Sequence, residues 1–315
     1  MTRLADLVDL PHVRLGTAPT PVRRLDLGHR SEVWVKDESA FGDGGWGGNK
    51  VRKLEWILPE AHRRGSTTLL TVGGIGTHWG LACALYGEQH GLRTVLGLVD
   101  QPLDDHVREQ LHRLEASGAV LHRYRSSTRL RLAAPYLMAR YRPWYVPAGG
   151  SNPVGALAYV DVALEIAEQV AAGELPEPAT LVVPVGSGGT VAGLALGLRL
   201  AGLDRTRLLG VVVNDLLRLD APAITRLAGR TGALLTRAGL ADVPSVTAVD
   251  LPRDWLGEGY GVPTAAGSAE VARASAAGLA VEPVYSGKAL AAIRDLDARG
   301  ELAGPVLWLS THGPR

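Results

Sequence analysis

Thr180-Leu181-Val182-Val183-Pro184-Val185-Gly186-Ser187-Gly188-Gly189-Thr190 decides the fold. Its first half is an apolar, Val-rich run that reads as a buried strand. The run passes without a break into five small residues, and a helix is predicted to follow over 191–201. Strand, glycine turn and helix start form the geometry in which backbone N–H groups and a hydroxyl cradle a phosphate. The spacing is neither G-x-x-x-x-G-K-[ST] nor a G-x-G-x-x-G after a first strand. Gly193 completes a G-x-G-x-x-x-x-G spacing, so pattern alone leaves open a dinucleotide, as well as a tight turn that holds no ligand.

The same alternation extends in both directions from this stretch. Strands are predicted over 33–38, 67–72, 94–99, 119–122, 144–146, 208–213 and 306–310. Helices are predicted over 53–64, 77–89, 104–117, 129–140, 154–172, 220–238, 266–277 and 287–299, with a loop over 251–263. Strands that alternate with helices of ten or more residues imply parallel βαβ units, hence an α/β fold. Ligands on such sheets sit at the carboxyl ends of the strands. The glycine clusters at 73–76, 149–150 and 186–189 all fall at such ends. There is no internal repeat and no low-complexity segment.

Composition narrows the classes. The chain has 315 residues, 46% hydrophobic and 21% charged, as expected of a globular enzyme with a sizeable core. A net charge of +1, with no basic patch interleaved with aromatics, argues against nucleic acid. No stretch of about 18 uncharged apolar residues predicts a membrane span. The start, Met1-Thr2-Arg3-Leu4-Ala5-Asp6-Leu7, lacks a signal-peptide core, and the single Cys83 excludes an internal disulfide. Both fit a cytoplasmic location. The nine His are scattered, with no H-E-x-x-H and no paired Cys, so no metal site is expected. A G-x-S-x-G elbow is also missing.

A second glycine-rich stretch precedes a lysine. Gly42-Asp43-Gly44-Gly45-Trp46-Gly47-Gly48 leads into Asn49-Lys50-Val51-Arg52-Lys53-Leu54-Glu55. This places Lys50 at the start of an amphipathic helix, where the helix dipole and free N–H groups weaken its preference for the ammonium form. The free amine is the form that condenses with an aldehyde. A phosphate cradle and a helix-start lysine, far apart in sequence, suggest one ligand with both a phosphate and an aldehyde, which is pyridoxal phosphate.

At this point the chain resembles the fold-type II pyridoxal-phosphate enzymes, and among them the aminocyclopropane-carboxylate deaminase and D-cysteine desulfhydrase group. The resemblance rests on six stretches in the family's order. They are the run from Gly47 to Glu55, Gly73-Gly74-Ile75, Gly149-Gly150-Ser151-Asn152-Pro153-Val154-Gly155-Ala156, residues 186–190, Gly259-Tyr260-Gly261-Val262-Pro263 and Pro283-Val284-Tyr285-Ser286-Gly287-Lys288-Ala289. It implies two domains, each an open, mostly parallel twisted sheet flanked by helices. A large cofactor-binding domain would span 1–48 and 153–315, and a small domain 49–152. A homodimer is implied as well.

The resemblance also implies roles. Lys50 would hold the cofactor's aldehyde and later move the substrate's α-proton. Gly186, Ser187, Gly188, Gly189 and Thr190 would hold the phosphate, with Lys53 as a helper. Ser286 falls where the family places the partner of the pyridine nitrogen. The deaminases have glutamate there and the desulfhydrases a hydroxyl, so Ser286 argues against ring-opening deamination and for β-elimination. Tyr260 and Tyr285 fall at active-site tyrosines. One departure stands out. After Gly74-Ile75 the family has Gln-Ser-Asn-His, and this chain has Gly76-Thr77-His78-Trp79. Thr77 keeps a hydroxyl for catalysis and substrate. His78 replaces the asparagine that bonds the cofactor's phenolic oxygen, and Trp79 adds bulk by the substrate carboxylate.

The expected activity is therefore a pyridoxal-phosphate-dependent lyase on a small amino acid, releasing a β-substituent, a 2-oxo acid and ammonia. The alternatives are a β-replacement, racemase or biosynthetic enzyme, an aminocyclopropane-carboxylate deaminase, or a non-catalytic binding protein of the same fold. A dinucleotide-dependent oxidoreductase rests on the glycine turn alone, with no acidic residue placed to follow a first-strand fingerprint.

Overall fold

The computed structural model describes residues 3–39, 41–42, 47–246 and 249–311, with the backbone alone at His106. Residues 43–46 of the glycine turn, and the tail from His312, lie outside this description. In chain order the elements are α1 (Leu4–Leu7), β1 (Val22–Leu25), β2 (Val33–Asp37), α2 (Asn49–Arg63), β3 (Thr68–Gly74), α3 (His78–Gln89), β4 (Arg93–Val99), α4 (Asp105–Ala116), β5 (Val120–Tyr124) and α5 (Ser127–Tyr141). There follow β6 (Trp144–Tyr145), a short 3-10 turn (Ala148–Gly150), α6 (Pro153–Ala171), β7 (Thr180–Val185), α7 (Gly189–Leu200), β8 (Arg207–Val212), α8 (Ala221–Arg237), α9 (Ala265–Ala276), α10 (Ser286–Arg299) and β9 (Val306–Ser310).

The strands form two sheets, ordered β1-β2-β9-β7-β8 and β5-β4-β3-β6. Every pairing is parallel except β1 with β2. The antiparallel edge was not expected from sequence. Val22-Arg23-Arg24-Leu25 has two exposed arginines between its apolar ends, so it carries no apolar run, and charge on an edge strand guards against further pairing.

Side-chain alternation fixes the layers. Leu181, Val183, Val185, Leu307 and Leu309 join one core, while Val182, Val306 and Trp308 join the core on the opposite face with Leu290 and Ile293 of α10. In the second sheet Leu69 and Leu96 share the first core, and Leu70 and Val95 pack on Leu130 and Leu137 of α5. Each such side chain stabilises by about 1.5–3 kcal/mol on burial. The first core runs without interruption from one sheet to the other through α2, α3, α6 and α7.

Two prolines are explained by where the backbone hydrogen bonds go. Pro59, inside α2, leaves the carbonyl of Glu55 without its helical donor, and the Val13 N–H takes it at 2.9 Å. Pro184 lies in the central strand β7. Val185 turns its carbonyl to the β8 side, accepting from Val213 N at 3.1 Å, so the nitrogen of Pro184 faces the β9 side. Pairing with β9 has already ended there, at Val182 opposite Trp308. Beyond that pair β7 and β9 part, and β9 continues only along β2 to Asp37 opposite Ser310. A crevice thus opens at the carboxyl ends of the strands, where open α/β sheets bind ligands. Among the described residues, no helix is long and apolar enough to cross a membrane.

Candidate active site

Lys50 stands at the mouth of this crevice. It is the second residue of α2, behind the Gly48 N-cap with φ +106°. Gly48 N–H donates to Phe41 O at 2.8 Å and Asn49 N–H to Thr311 O at 3.1 Å, so the helix start is tied to the end of β9. Lys50 lines a cavity together with Asn49, Val185, Gly186, Ser187, Gly188, Thr190, Tyr285 and Thr311. Burial alone pulls its amine down to about 8, with no carboxylate to hold the proton.

The opposite wall is the glycine turn between β7 and α7. Gly188 is the N-cap of α7 with φ +89°, a conformation that glycine adopts without penalty. A methyl group on Gly189 would lie 2.8 Å from Ser151 Oγ and 3.1 Å from Lys53 Nζ. Lys53 is one turn along α2 from Lys50 and fully buried, and it donates to Gly149 O at 2.8 Å. Burial first, and then the charge of Lys50, hold its ammonium well below the usual lysine range. Ser151 accepts from Gly189 N at 3.0 Å and donates to Ser187 Oγ at 2.9 Å. Asn214 Nδ2 holds Gly186 O at 2.8 Å.

These residues fit pyridoxal phosphate. A helix N-terminus, two hydroxyls and a buried ammonium converge where the glycines leave no side chain, which suits a phosphate. A lysine amine near neutrality in the same cavity suits an aldehyde.

Beneath the turn lies a second cluster. The Tyr285 ring packs on Gly186, where a methyl group would meet its Cε1 at 2.6 Å. Tyr285 OH donates to Tyr260 OH at 2.8 Å, the two rings meeting edge to face. Burial pushes both phenols above the usual value. Ser286, the first residue of α10, has no exposed surface. The Glu282 carboxylate receives the backbone N–H groups of Val284 (2.7 Å), Tyr285 (2.9 Å) and Ser286 (2.6 Å) and the Ser286 side chain. Lys288 Nζ donates to Leu256 O at 2.7 Å and Gly259 O at 3.1 Å, and Asp215 takes the Tyr260 N–H at 3.0 Å. Together they pin the loop that carries Tyr260.

Thr77, His78 and Trp79 begin α3. Thr77 is its N-cap, accepting Gly80 N–H at 3.1 Å, and His78 is half-buried. Trp79 is 3% exposed, its Nε1 donating to Thr71 at 2.7 Å. Its ring lies against Gly150, where a methyl group would stand 2.9 Å from it and 3.2 Å from the stem of Lys53. Trp79 is therefore packed behind Lys53. None of these three lines the cavity that holds Lys50. Sequence reasoning did not single out Glu282, Lys288, Asn214 or Asp215, and met Ser151 only inside a glycine-rich run.

Comparison with known proteins agrees with this geometry. A family model described as pyridoxal-phosphate dependent enzyme matches residues 13–311. A D-cysteine desulfhydrase of Klebsiella pneumoniae is 32% identical over 328 residues, covering 98% of this chain and 96% of the relative. One of Salmonella choleraesuis is 33% identical over 331 residues, with the same coverage. A solved aminocyclopropane-carboxylate (ACC) deaminase homologue superposes with a TM-score of 0.82 at 27% identity, covering 96% of this chain and 92% of that one.

Proposed function

The chain belongs to the pyridoxal-phosphate dependent enzymes, and from that premise we propose a lyase that acts on a small amino acid in the manner of a D-cysteine desulfhydrase. With D-cysteine and water the products are hydrogen sulfide, pyruvate and ammonia. The observation that carries this reading is the single cavity shared by Lys50, the glycine turn and Tyr285.

Bound there, pyridoxal phosphate supplies an aldehyde for the substrate's amine and a ring that draws electrons from the α-carbon. The chain's residues do the rest. Residues 186–190 and Lys53 would hold the phosphate, and Lys50 the aldehyde. Lys50 Nζ would also take the substrate's α-proton, a task that suits an amine brought down to about 8 by burial. The Tyr285–Tyr260 pair hands a proton to the departing sulfur. Thr77 and the N-terminus of α3 meet the substrate carboxylate, His78 bonds the ring's phenolic oxygen, and Trp79 backs the site. Ser286 meets the ring nitrogen.

We propose that the enzyme is built of two units, 1–48 with 153–315 and 49–152, a division supported by the strands' separation into two sheets. A cytoplasmic homodimer is its working form, which light scattering and cell fractionation test. The reaction is tested by sulfide and 2-oxo-acid release from D-cysteine, L-cysteine and aminocyclopropane-carboxylate. Sulfide and pyruvate in equal amounts from D-cysteine are expected. Ammonia from aminocyclopropane-carboxylate, with no sulfide from either cysteine, would overturn the reading.

A further inference from the structure

Ser151 also lines a second cleft, set between α8 and the segment that joins β6 to α6. From α8 this cleft takes Leu227, Arg230, Leu234 and Arg237. Their spacing puts them on a single stripe of the helix, in which leucine and arginine alternate. The other wall includes Trp144, Tyr145 and Arg64. The Arg64 guanidinium lies 4.9 Å from the centre of the Trp144 ring, and Tyr145 keeps 43% of its surface exposed.

The charge of the cleft has one sign. No Asp or Glu lines it. Arg64 shares the Glu60 carboxylate with Arg63, at 2.7 Å and 2.6 Å. Among the described residues, Arg230 and Arg237 make neither an ion pair nor a hydrogen bond. A cleft lined by one sign of charge focuses its field and gathers the opposite sign. Guanidinium groups match the oxygens of carboxylates and phosphates in pairs, and they stack on rings. Arg230 and Arg237 stand about 10 Å apart along the helix, with Leu234 between them. An inorganic ion would leave that leucine and the Tyr145 ring uncovered. We propose that the cleft is a second binding site, for a small organic anion with a flat ring: its acid group pairs with Arg230 or Arg237, and its ring covers Leu234 and Tyr145.

Ser151 couples this site to the cofactor. Its hydroxyl accepts from Gly189 N at 3.0 Å and donates to Ser187 Oγ at 2.9 Å, both within the turn read above as the phosphate cradle. Asn152, the next residue in the cleft wall, caps α6 by accepting Gly155 N at 2.8 Å. The anion and the cofactor's phosphate therefore bear on one short segment from two sides, and each changes the other's affinity by the same factor. This coupling rests on that reading of the cradle, whereas the site itself does not.

The test titrates the holoenzyme with 1-anilinonaphthalene-8-sulfonate, a ringed anion whose fluorescence rises on binding. One saturable site per chain is expected. Phenyl phosphate and phenylacetate should displace the probe, the stronger of the two marking the natural ligand as a phosphate ester or a carboxylate, and inorganic phosphate should not. Arg230→Gln with Arg237→Gln should weaken the probe at least tenfold, and Tyr145→Ala at least threefold, with turnover in the absence of probe unchanged. Equal binding to wild type and the arginine variant, or displacement by inorganic phosphate alone, overturns the site. A wild type that binds no probe, beside an arginine variant that sediments as a smaller species, gives the cleft to a second copy of the chain and overturns the small anion. Probe affinity should differ at least threefold between apo-protein and holoenzyme, and equal affinities overturn the coupling. An apo-protein that takes up no pyridoxal phosphate overturns the reading of the cradle and the coupling with it, while the arginine variant still decides the site.

Discussion

Helix α2 sends its cations to two places, and the two differ in one respect. On one side Arg52 enters a closed network with no exposed surface to speak of. Its Nε reaches Glu38 at 2.5 Å and its Nη2 reaches Glu165 at 3.0 Å, while Lys36 Nζ reaches Glu165 at 2.5 Å, Gln169 at 2.7 Å and Thr20 O at 3.2 Å. Two cations meet two carboxylates, so the charge cancels. Burial works against the Arg52 guanidinium, but Glu38 and Glu165 overrule it and hold the group charged. On the other side Lys53, without exposed surface, and Lys50, half-buried at the cavity, meet no carboxylate. Buried charge that is matched belongs to the scaffold. A buried amine left unmatched, lowered toward neutrality and aimed at a cavity, belongs to the chemistry.

Lys50→Ala breaks the comparison most severely. Turnover should fall at least about 10⁴-fold, as for loss of a residue that both bonds and moves protons. The thermal midpoint of the apo-protein should hold or rise, because an unpaired buried amine is gone. An absorbance spectrum of the cofactor-loaded variant, beside a melting curve, checks both halves.

The mirror experiment is Arg52→Met or Glu165→Gln. Each strands a countercharge where water cannot reach, at a cost of about 3–5 kcal/mol. Calorimetry should show the midpoint falling by about 5–15 °C, while the fraction that remains folded keeps its turnover. A large loss of turnover without loss of stability would mean that the network is part of the site after all. A smaller effect is expected from Gly189→Ala, whose methyl group would press on Ser151 Oγ and Lys53 Nζ. Cofactor affinity should weaken about tenfold, roughly 1.4 kcal/mol, as measured by fluorescence titration.

The contrast within α2 explains which parts of the molecule were legible from sequence. The strand over 180–185, the glycine turn and the lysine at a helix start are local patterns, each readable within about ten residues. The parallel order of the strands followed from their alternation with helices. The matched network was not legible, because its partners stand up to 149 residues apart, as Thr20 and Gln169 do, and no spacing rule links them. Glu282 stayed hidden for a related reason. A carboxylate between Val281 and Pro283 looks like part of a loop, and only the folded turn reveals that it caps α10 in place of Tyr285. The resemblance implies that Trp79 adds bulk by the substrate carboxylate, whereas in the fold its ring turns inward, to Thr71 and Gly150.

The mildest test is one of pH, and its sign follows from burial. An unfolded lysine titrates near 10.4, whereas burial brings Lys50 down to about 8 in the folded protein. Between those values the unfolded chain holds a proton that the folded chain has released. Stability of the apo-protein contributed by Lys50 therefore rises with pH across that window, opposite to the behaviour of a lysine that gains a carboxylate partner. The same shift sets how fast the apo-protein captures pyridoxal phosphate, because only the free amine bonds to an aldehyde. Its free fraction grows about fivefold between pH 7 and pH 8 and then levels off, whereas an ordinary lysine would still be gaining tenfold per pH unit at pH 9. Stopped-flow absorbance of cofactor capture across pH 6.5–10 reads this directly. A rate that climbs without a bend to pH 10 would mean that Lys50 is as well solvated as a surface lysine, and the distinction drawn between the two sides of α2 would fail at its chemical end.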